Sequence, residues 1–346
     1  MDKVKKIMFL GGSITVGGVA SDYSLSWAKQ TYEKIAQPLF NNNCTMLNAS
    51  LSGTGSFFAA IRLGQHVLPY KPDMVFIEFA VNDLYEAQSD QDLVISSLDY
   101  IVRSLINVNP KVVIVFVYTT FSGKNAAETH GIVAKHYNIP EIDFQTPLAE
   151  IIATGEKSWS DYMPDGVHPN DEGHLFYANI AADAILRDKE RFLTPTSLAP
   201  SLATYSFCDP QILLASPQME QKGFACAAAE DMENLKHLPE TVVRQALYAK
   251  KAGASVKVKF TGTHFAIYHR IGARMGCVSV VIDGENVGKL DCYYKYADPN
   301  IAGEYCCFFR RNGLPQGEHT AEITVLDEKN ENSMGNQVVL AGFLVG

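Results

Sequence analysis

Five runs in the first half of the chain are apolar almost throughout: Lys5–Leu10, Thr45–Leu51, Asp73–Ala80 (DMVFIEFA), Lys111–Tyr118 (KVVIVFVY) and the shorter Ile139–Phe144 (IPEIDF). A strand with one wet face alternates apolar and polar residues, whereas a strand covered on both faces reads as a continuous apolar run. Between the runs lie segments with apolar residues at helical intervals, such as Leu25–Phe40 and Asp92–Val108. Strand–helix alternation of this kind predicts an α/β domain: a parallel sheet with right-handed crossovers and helices on its faces. In such sheets the groups that do chemistry belong at the carboxyl ends of the strands. A last helix over Leu175–Leu186, capped by Asn170 or Asp171, is expected to close the domain.

A chain of 346 residues is long for one domain and comfortable for two. Thr194–Ser201 (TPTSLAPS) reads as a linker, being rich in Pro, Ser and Thr. The expected division is a catalytic domain over 1–190, a linker over 191–203 and a second domain over 204–346. In that second part Ser255–Tyr268 alternates, with Val256, Val258 and Phe260 on one side and Lys257 and Lys259 on the other. Val278–Ile282 ends at the turn pair Asp283-Gly284, His319–Leu326 alternates again, and Gln337–Val345 is a final apolar strand. Short strands, glycine-rich turns and no long helix predict an all-β sandwich of jelly-roll-like type.

The formal charge of −9 disfavours partners that need a basic surface, namely nucleic acid and anionic lipid. No apolar run approaches the roughly 18 residues that span a bilayer. Met1–Leu10 has lysines followed by Ile-Met-Phe-Leu, but the apolar part is too short for a signal peptide and no small-residue cleavage site follows. It reads as a strand, so the expected location is the cytoplasm unless a leader has been removed. Seven cysteines with no CxxC and no framework spacing predict reduced thiols and no zinc site. The adjacent pair Cys306-Cys307 would point to opposite faces of a strand.

Four short pieces, far apart but in fixed order, carry chemistry: Gly11-Gly12-Ser13-Ile14-Thr15, Ser52-Gly53, Val81-Asn82-Asp83 and Asp165-Gly166-Val167-His168. Each is expected at the end of a strand. Ser13 follows the first strand after two glycines, which tolerate a tight turn and let a substrate approach the backbone. A helix starting there would aim its N–H groups at developing negative charge. GGSITVGG is glycine-rich like a phosphate loop, but it lacks the Lys-Ser/Thr ending of one. Asp165 lies three residues before His168, close enough to accept the Nδ1 hydrogen and leave Nε2 free to take the Ser13 proton. Pro169 biases His168 toward extended backbone. The N–H groups of Ser13 and Gly53 and the side-chain amide of Asn82 could form an oxyanion hole. Gly53-Thr54-Gly55 starts a GxGxxG-like string, but Phe58 occupies the third glycine position, which argues against a dinucleotide. The other histidines, His66, His130, His136, His174, His237, His264, His269 and His319, have no comparable setting and read as surface or structural.

The set Ser13, Gly53, Asn82 and Asp165/His168 resembles the SGNH (GDSL-type) hydrolases. The resemblance covers about residues 5–187 and includes Leu47-Asn48 and Phe76-Ile77-Glu78. It implies a flavodoxin-like three-layer α/β/α sandwich with a five-stranded parallel sheet, a serine nucleophile, a histidine base on one loop with its aspartate, and no cofactor or metal. Two positions depart from the family pattern. Gly12 stands where an Asp usually precedes the serine, and Ala80 where a Gly usually lies two before the asparagine. Neither change removes a catalytic group, and the first bears on how Ser13 is oriented. Residues 204–346 resemble the β-sandwich modules attached to some family members that deacetylate carbohydrates, through Gly262-Thr263, Val281-Ile282-Asp283-Gly284 and Leu314-Pro315-Gln316-Gly317-Glu318-His319.

The expected function is therefore a serine ester hydrolase that removes a short acyl group, acetyl first among them, from a small-molecule or oligosaccharide ester. The appended sandwich and the absence of a long apolar lid favour a sugar over a lipid. The competing readings are a lysophospholipase or thioesterase on the same scaffold, and a glycan-binding protein without turnover. The sequence does not speak to oligomeric state.

Overall fold

The computed structural model describes residues 3–228, 242–300 and 303–346. The expected histidine at His237 lies outside the described residues. The chain divides into two compact units, Met1–Thr204 and Tyr205–Gly346.

Unit 1 is built on five strands: β1 (Lys5–Gly11), β2 (Cys44–Asn48), β3 (Met74–Glu78), β4 (Val113–Tyr118) and β5 (Glu141–Asp143). They form one parallel sheet in the order β2-β1-β3-β4-β5. The crossovers carry α1 (Ser13–Val16), α2 (Trp27–Phe40), α3 (Ser56–His66), α4 (Leu84–Ser89), α5 (Gln91–Val108) and α6 (Ala127–Tyr137). After β5 come α7 (Gln145–Ala153), α8 (Trp159–Tyr162), α9 (Asp171–Arg187) and α10 (Lys189–Leu193). This is the flavodoxin-like sandwich that the apolar runs and the resemblance predict. Strands β3 and β4 are buried at every residue because helices cover both faces, which is why they read as unbroken apolar runs.

On one face of the sheet the core is aromatic. Phe9 of β1 stacks on Phe76 of β3, with ring centroids 4.7 Å apart and planes 8° from parallel. Trp27, the first residue of α2, meets both Phe9 (5.5 Å) and Phe144 (5.6 Å) edge-on. Phe144 in turn stacks on Tyr177 of α9 at 4.4 Å. Offset stacks and edge contacts of this kind add to burial and fix angles. They lock the start of α2 and the middle of α9 to the strands whose ends carry the site. Asn170 caps α9, its side chain accepting from Gly173 N–H at 3.0 Å, as the sequence predicts.

Residues 194–204 do not hang free but run along unit 1. Thr196 accepts from Ile114 N–H at 3.1 Å and donates its own N–H to Val112 at 2.9 Å. Asp99 receives Ser201 Oγ at 2.7 Å and Leu202 N–H at 3.0 Å. Among the described residues no helix is long and apolar enough to cross a membrane.

Unit 2 is all-β in its described residues. One antiparallel sheet runs β13-β12-β15-β10-β7, from β7 (Glu220–Lys222), β10 (Ser255–Gly262), β12 (Cys277–Ile282), β13 (Glu285–Asp291) and β15 (Gly317–Val325). The other runs β14-β11-β16-β9-β8, from β8 (Ala225–Ala228), β9 (Gln245–Ala249), β11 (Phe265–Ile271), β14 (Glu304–Arg311) and β16 (Val338–Val345), with β6 (Gln211–Leu214) also paired to β16. Asp283 (φ 53°) and Gly284 (φ 84°) make the two-residue hairpin between β12 and β13, since both positions need the left-handed region. The expectation of one alternating stretch over Ser255–Tyr268 is corrected: it is two strands, β10 and β11, in different sheets. Gly262 (φ 147°) makes the break, and a Cβ there would lie 2.7 Å from the Gly346 carbonyl.

Candidate active site

β1 ends at Gly11 and α1 begins at Ser13, with extended Gly12 (φ −90°, ψ −155°) as its cap. The turn puts Ser13 half-buried at the carboxyl end of a central strand. Its Oγ lies 2.7 Å from His168 Nε2, across 155 positions of sequence. His168 Nδ1 lies 2.6 Å from Asp165 Oδ2. An ionised carboxylate only accepts, so Nδ1 carries the hydrogen and Nε2 presents a lone pair to the Ser13 hydroxyl. Ser13, His168 and Asp165 thus form a continuous chain of hydrogen bonds.

The loop that aims His168 is held at several points. Asp165 Oδ1 accepts from Val167 N–H at 2.9 Å and His168 N–H at 2.7 Å. Burial pushes the Asp165 carboxyl up, but these N–H groups and the His168 ring outweigh it and hold its pKa below the ordinary value. Gly166 sits at φ 83°, its carbonyl accepting from Ser122 Oγ at 3.2 Å. On the other side of the ring, a Cβ on Gly18 would lie 3.0 Å from His168 Cδ2 and 3.1 Å from Ser13 O, so a larger residue there would press on the ring. The Gly18 loop is held there by buried His174. Its Nδ1 accepts from Trp27 N–H at 3.2 Å, and its Nε2 donates to Gly18 O at 3.2 Å. Burial pushes His174 down to about 4, so it stays neutral and keeps that tautomer.

One placement differs from the expectation that all four pieces end strands. Ser13, Gly53 and Asn82 follow β1, β2 and β3, but β5 ends at Asp143 and two helices, α7 and α8, intervene before Asp165. The Asp165/His168 loop instead precedes α9, and the aromatic packing of that helix brings it to the carboxyl end of the sheet, where Ser13 stands.

Asn82 lies against the nucleophile turn: a Cβ on Gly12 would fall 2.2 Å from Asn82 Oδ1 and 3.4 Å from its Nδ2. Gly53 is exposed at φ 71°, in a loop tied to the end of β1 by Leu51 N–H donating to Gly11 O at 3.0 Å. Buried Asp83 joins these loops. Its Oδ1 accepts from Ser56 N–H at 2.9 Å, and its Oδ2 meets His130 Nε2 at 2.9 Å. Asp83 and His130 carry no role in the sequence reading, and their contact is visible only in three dimensions. Glu78, read there only as a flank, is fully buried beneath the turn and accepts from Thr15 Oγ1 at 2.7 Å and Thr119 Oγ1 at 2.6 Å. A charged residue inside the apolar run DMVFIEFA was the signal for it.

His319, expected as a surface or structural residue, also pairs with a carboxylate, as His130 does. His319 Nδ1 lies 2.6 Å from Asp283 Oδ2, as close as the pair in the site. Its Nε2, however, donates to Pro315 O at 2.8 Å, so no hydroxyl is served. Among the described residues no group of three or more His, Cys, Asp or Glu side chains is gathered for a metal ion.

Comparison with known proteins adds the following. The model of the GDSL-like Lipase/Acylhydrolase family matches residues 9–175. A two-domain esterase (CEX) active on acetylated mannans, crystallised with mannopentaose, is similar over 99% of this chain and 91% of its own, with 25% identity and a TM-score of 0.78. A second structure of such an esterase gives 23% identity over the same shares, also with a TM-score of 0.78. An acetylxylan esterase (Axe2) from Geobacillus stearothermophilus is similar over 54% of this chain and 96% of its own, with 20% identity and a TM-score of 0.42. No curated protein sequence matches the chain.

Proposed function

We propose, from the premise that the N-terminal unit is a GDSL-like lipase/acylhydrolase domain and the protein a carboxylic ester hydrolase, that it removes acetyl groups from a carbohydrate through a covalent intermediate on Ser13. The observation that carries the reading is the 2.7 Å contact between Ser13 Oγ and His168 Nε2, continued to Asp165. In this mechanism His168 takes the Ser13 proton as Oγ adds to the ester carbonyl. Asp165 stabilises the imidazolium. The N–H groups of Ser13 and Gly53 and the Asn82 amide hold the oxyanion. His168 then gives its proton to the departing sugar hydroxyl, and afterwards takes one from the water that releases acetate.

The choice of a sugar ester rests on one relative. The 25%-identical esterase that is similar over 99% of this chain acts on acetylated mannans, and its likeness extends through both units. We assign catalysis to residues 1–190, with 191–203 as the connection and 204–346 as an accessory domain. The spacing of the cysteines supports a reducing compartment, which we take to be the cytoplasm.

The test is a screen of acetylated mono- and oligosaccharides, mannose-based ones included, with released acetate as the readout. Acetate release from at least one of them is expected. Chain length is checked with p-nitrophenyl esters: kcat/KM for acetate should exceed that for octanoate by about tenfold or more, as a pocket shaped for two carbons excludes longer chains. Faster turnover of octanoate would favour a lysophospholipase or thioesterase instead.

A further inference from the structure

Glu78 ends β3 and stands opposite Gly11 of β1 in the parallel register. It is 0% exposed. Three donors converge on its carboxylate: the Thr15 hydroxyl at 2.7 Å, the Thr119 hydroxyl at 2.6 Å and the Gly12 N–H. Gly12 and Thr15 flank Ser13 on either side, and Thr119 follows β4, so the carboxylate ties the nucleophile turn to the neighbouring strand. The approach is tight. A Cβ on Gly11 would lie 2.5 Å from Thr15 Oγ1 and 2.8 Å from Glu78 O.

The arrangement is costly. Burial pushes the Glu78 carboxyl up to about 7 against the pull of its three donors, with Asp83 adding to the rise, and none of the groups acting on it is a cation. A buried charge without a counter-ion is a poor way to stabilise a fold, and a neutral side chain of similar size usually serves stability as well or better. Once ionised, above about pH 7, the carboxyl accepts on both oxygens, which an amide cannot do. Glutamine would turn one of them into a donor, and a threonine hydroxyl facing it would have to turn and accept, so the pattern that holds the turn is lost while the fold can still satisfy its groups.

We propose that Glu78 is a positioning residue for catalysis: by gathering Gly12 N–H and the hydroxyls of Thr15 and Thr119 it fixes both flanks of Ser13 and so aims Oγ at His168 Nε2. This rests on the reading of Ser13 as the nucleophile. Glu78 touches neither substrate nor the reacting atoms. Its effect is on where the nucleophile points, and small errors of aim are expensive in rate.

The experiment uses the full-length protein with Glu78→Gln, Thr15→Val and Thr15→Ser. It reads kcat and KM on p-nitrophenyl acetate, the rate at which a fluorophosphonate modifies Ser13, and the thermal midpoint. Glu78→Gln should lower kcat by ~10–100-fold with KM little changed, and slow fluorophosphonate modification by a similar factor, while the thermal midpoint holds or rises. Thr15→Val should lose activity in the same pattern, and Thr15→Ser, which restores the hydroxyl, should recover most of it. If Glu78→Gln does not fold, the Thr15 pair reads the same contact. Wild-type kcat in folded Glu78→Gln, or in Thr15→Val, would overturn the proposal. So would losses that follow the thermal midpoint and are not recovered by Thr15→Ser. Equal hydrolysis by wild type and Ser13→Ala would remove the premise itself, a result distinct from a Ser13-dependent enzyme indifferent to Glu78.

Discussion

Replacing Ser13 with alanine is expected to lower kcat on p-nitrophenyl acetate by roughly four to six orders of magnitude while leaving the fold intact. The half-buried side chain makes its contact with His168 at 2.7 Å, and alanine fits the same turn, so little structure depends on the hydroxyl. In the proposed mechanism the chemistry depends on it entirely. Without Oγ there is no acyl acceptor, and His168 can only assist water in a position built for something else. Residual rate would come from binding and from the oxyanion donors, which survive the change. His168→Ala should fall about as far, and the double variant should fall little further, because the two act as one unit. A Ser13→Ala enzyme within about tenfold of wild type would mean that the hydrogen-bonded chain from Asp165 to Ser13 is not the catalytic machinery.

The second large effect concerns a residue with no side chain. Gly12→Ala is expected to cost ~10²–10³ in kcat, comparable to deleting one oxyanion donor. A methyl group at position 12 would sit 2.2 Å from Asn82 Oδ1, far inside contact distance, so the Asn82 amide must swing away. The departure from the family pattern at this position is therefore coupled to how Asn82 is seated, and Gly12→Asp, which restores the usual residue, should harm this enzyme too. A double-mutant cycle checks the route. If Gly12 acts through Asn82, then Gly12→Ala combined with Asn82→Ala should be little worse than Asn82→Ala alone. Full additivity, or a Gly12→Ala variant with wild-type kcat, would contradict the placement of Asn82 as a donor.

The architecture of unit 1 was legible because burial on both faces leaves a plain mark. β3 and β4 read as apolar runs for the same reason that their residues are buried. The pieces bearing Ser13, Gly53 and Asn82 could be put at strand ends because each follows its strand within a few residues. The Asp165/His168 loop could not be placed that way. Its position comes from α9, seated on the sheet by Phe144 and Tyr177, and no local pattern encodes a contact between residues so far apart. The supporting groups were hidden for a related reason. Asp83 with His130, and Glu78 with Thr15 and Thr119, are ordinary residues until folding brings the partners together. In unit 2 the turn at Asp283-Gly284 was readable from its residue types, whereas the break at Gly262 lay inside a pattern that alternates smoothly across it.

The most direct measurement is to quench the enzyme in acid during turnover of p-nitrophenyl acetate, digest it and locate the acetyl group by mass spectrometry. Acetyl on the peptide carrying Ser13, absent from Ser13→Ala, is the predicted result. Acetyl on another side chain, or steady turnover by Ser13→Ala, would contradict it.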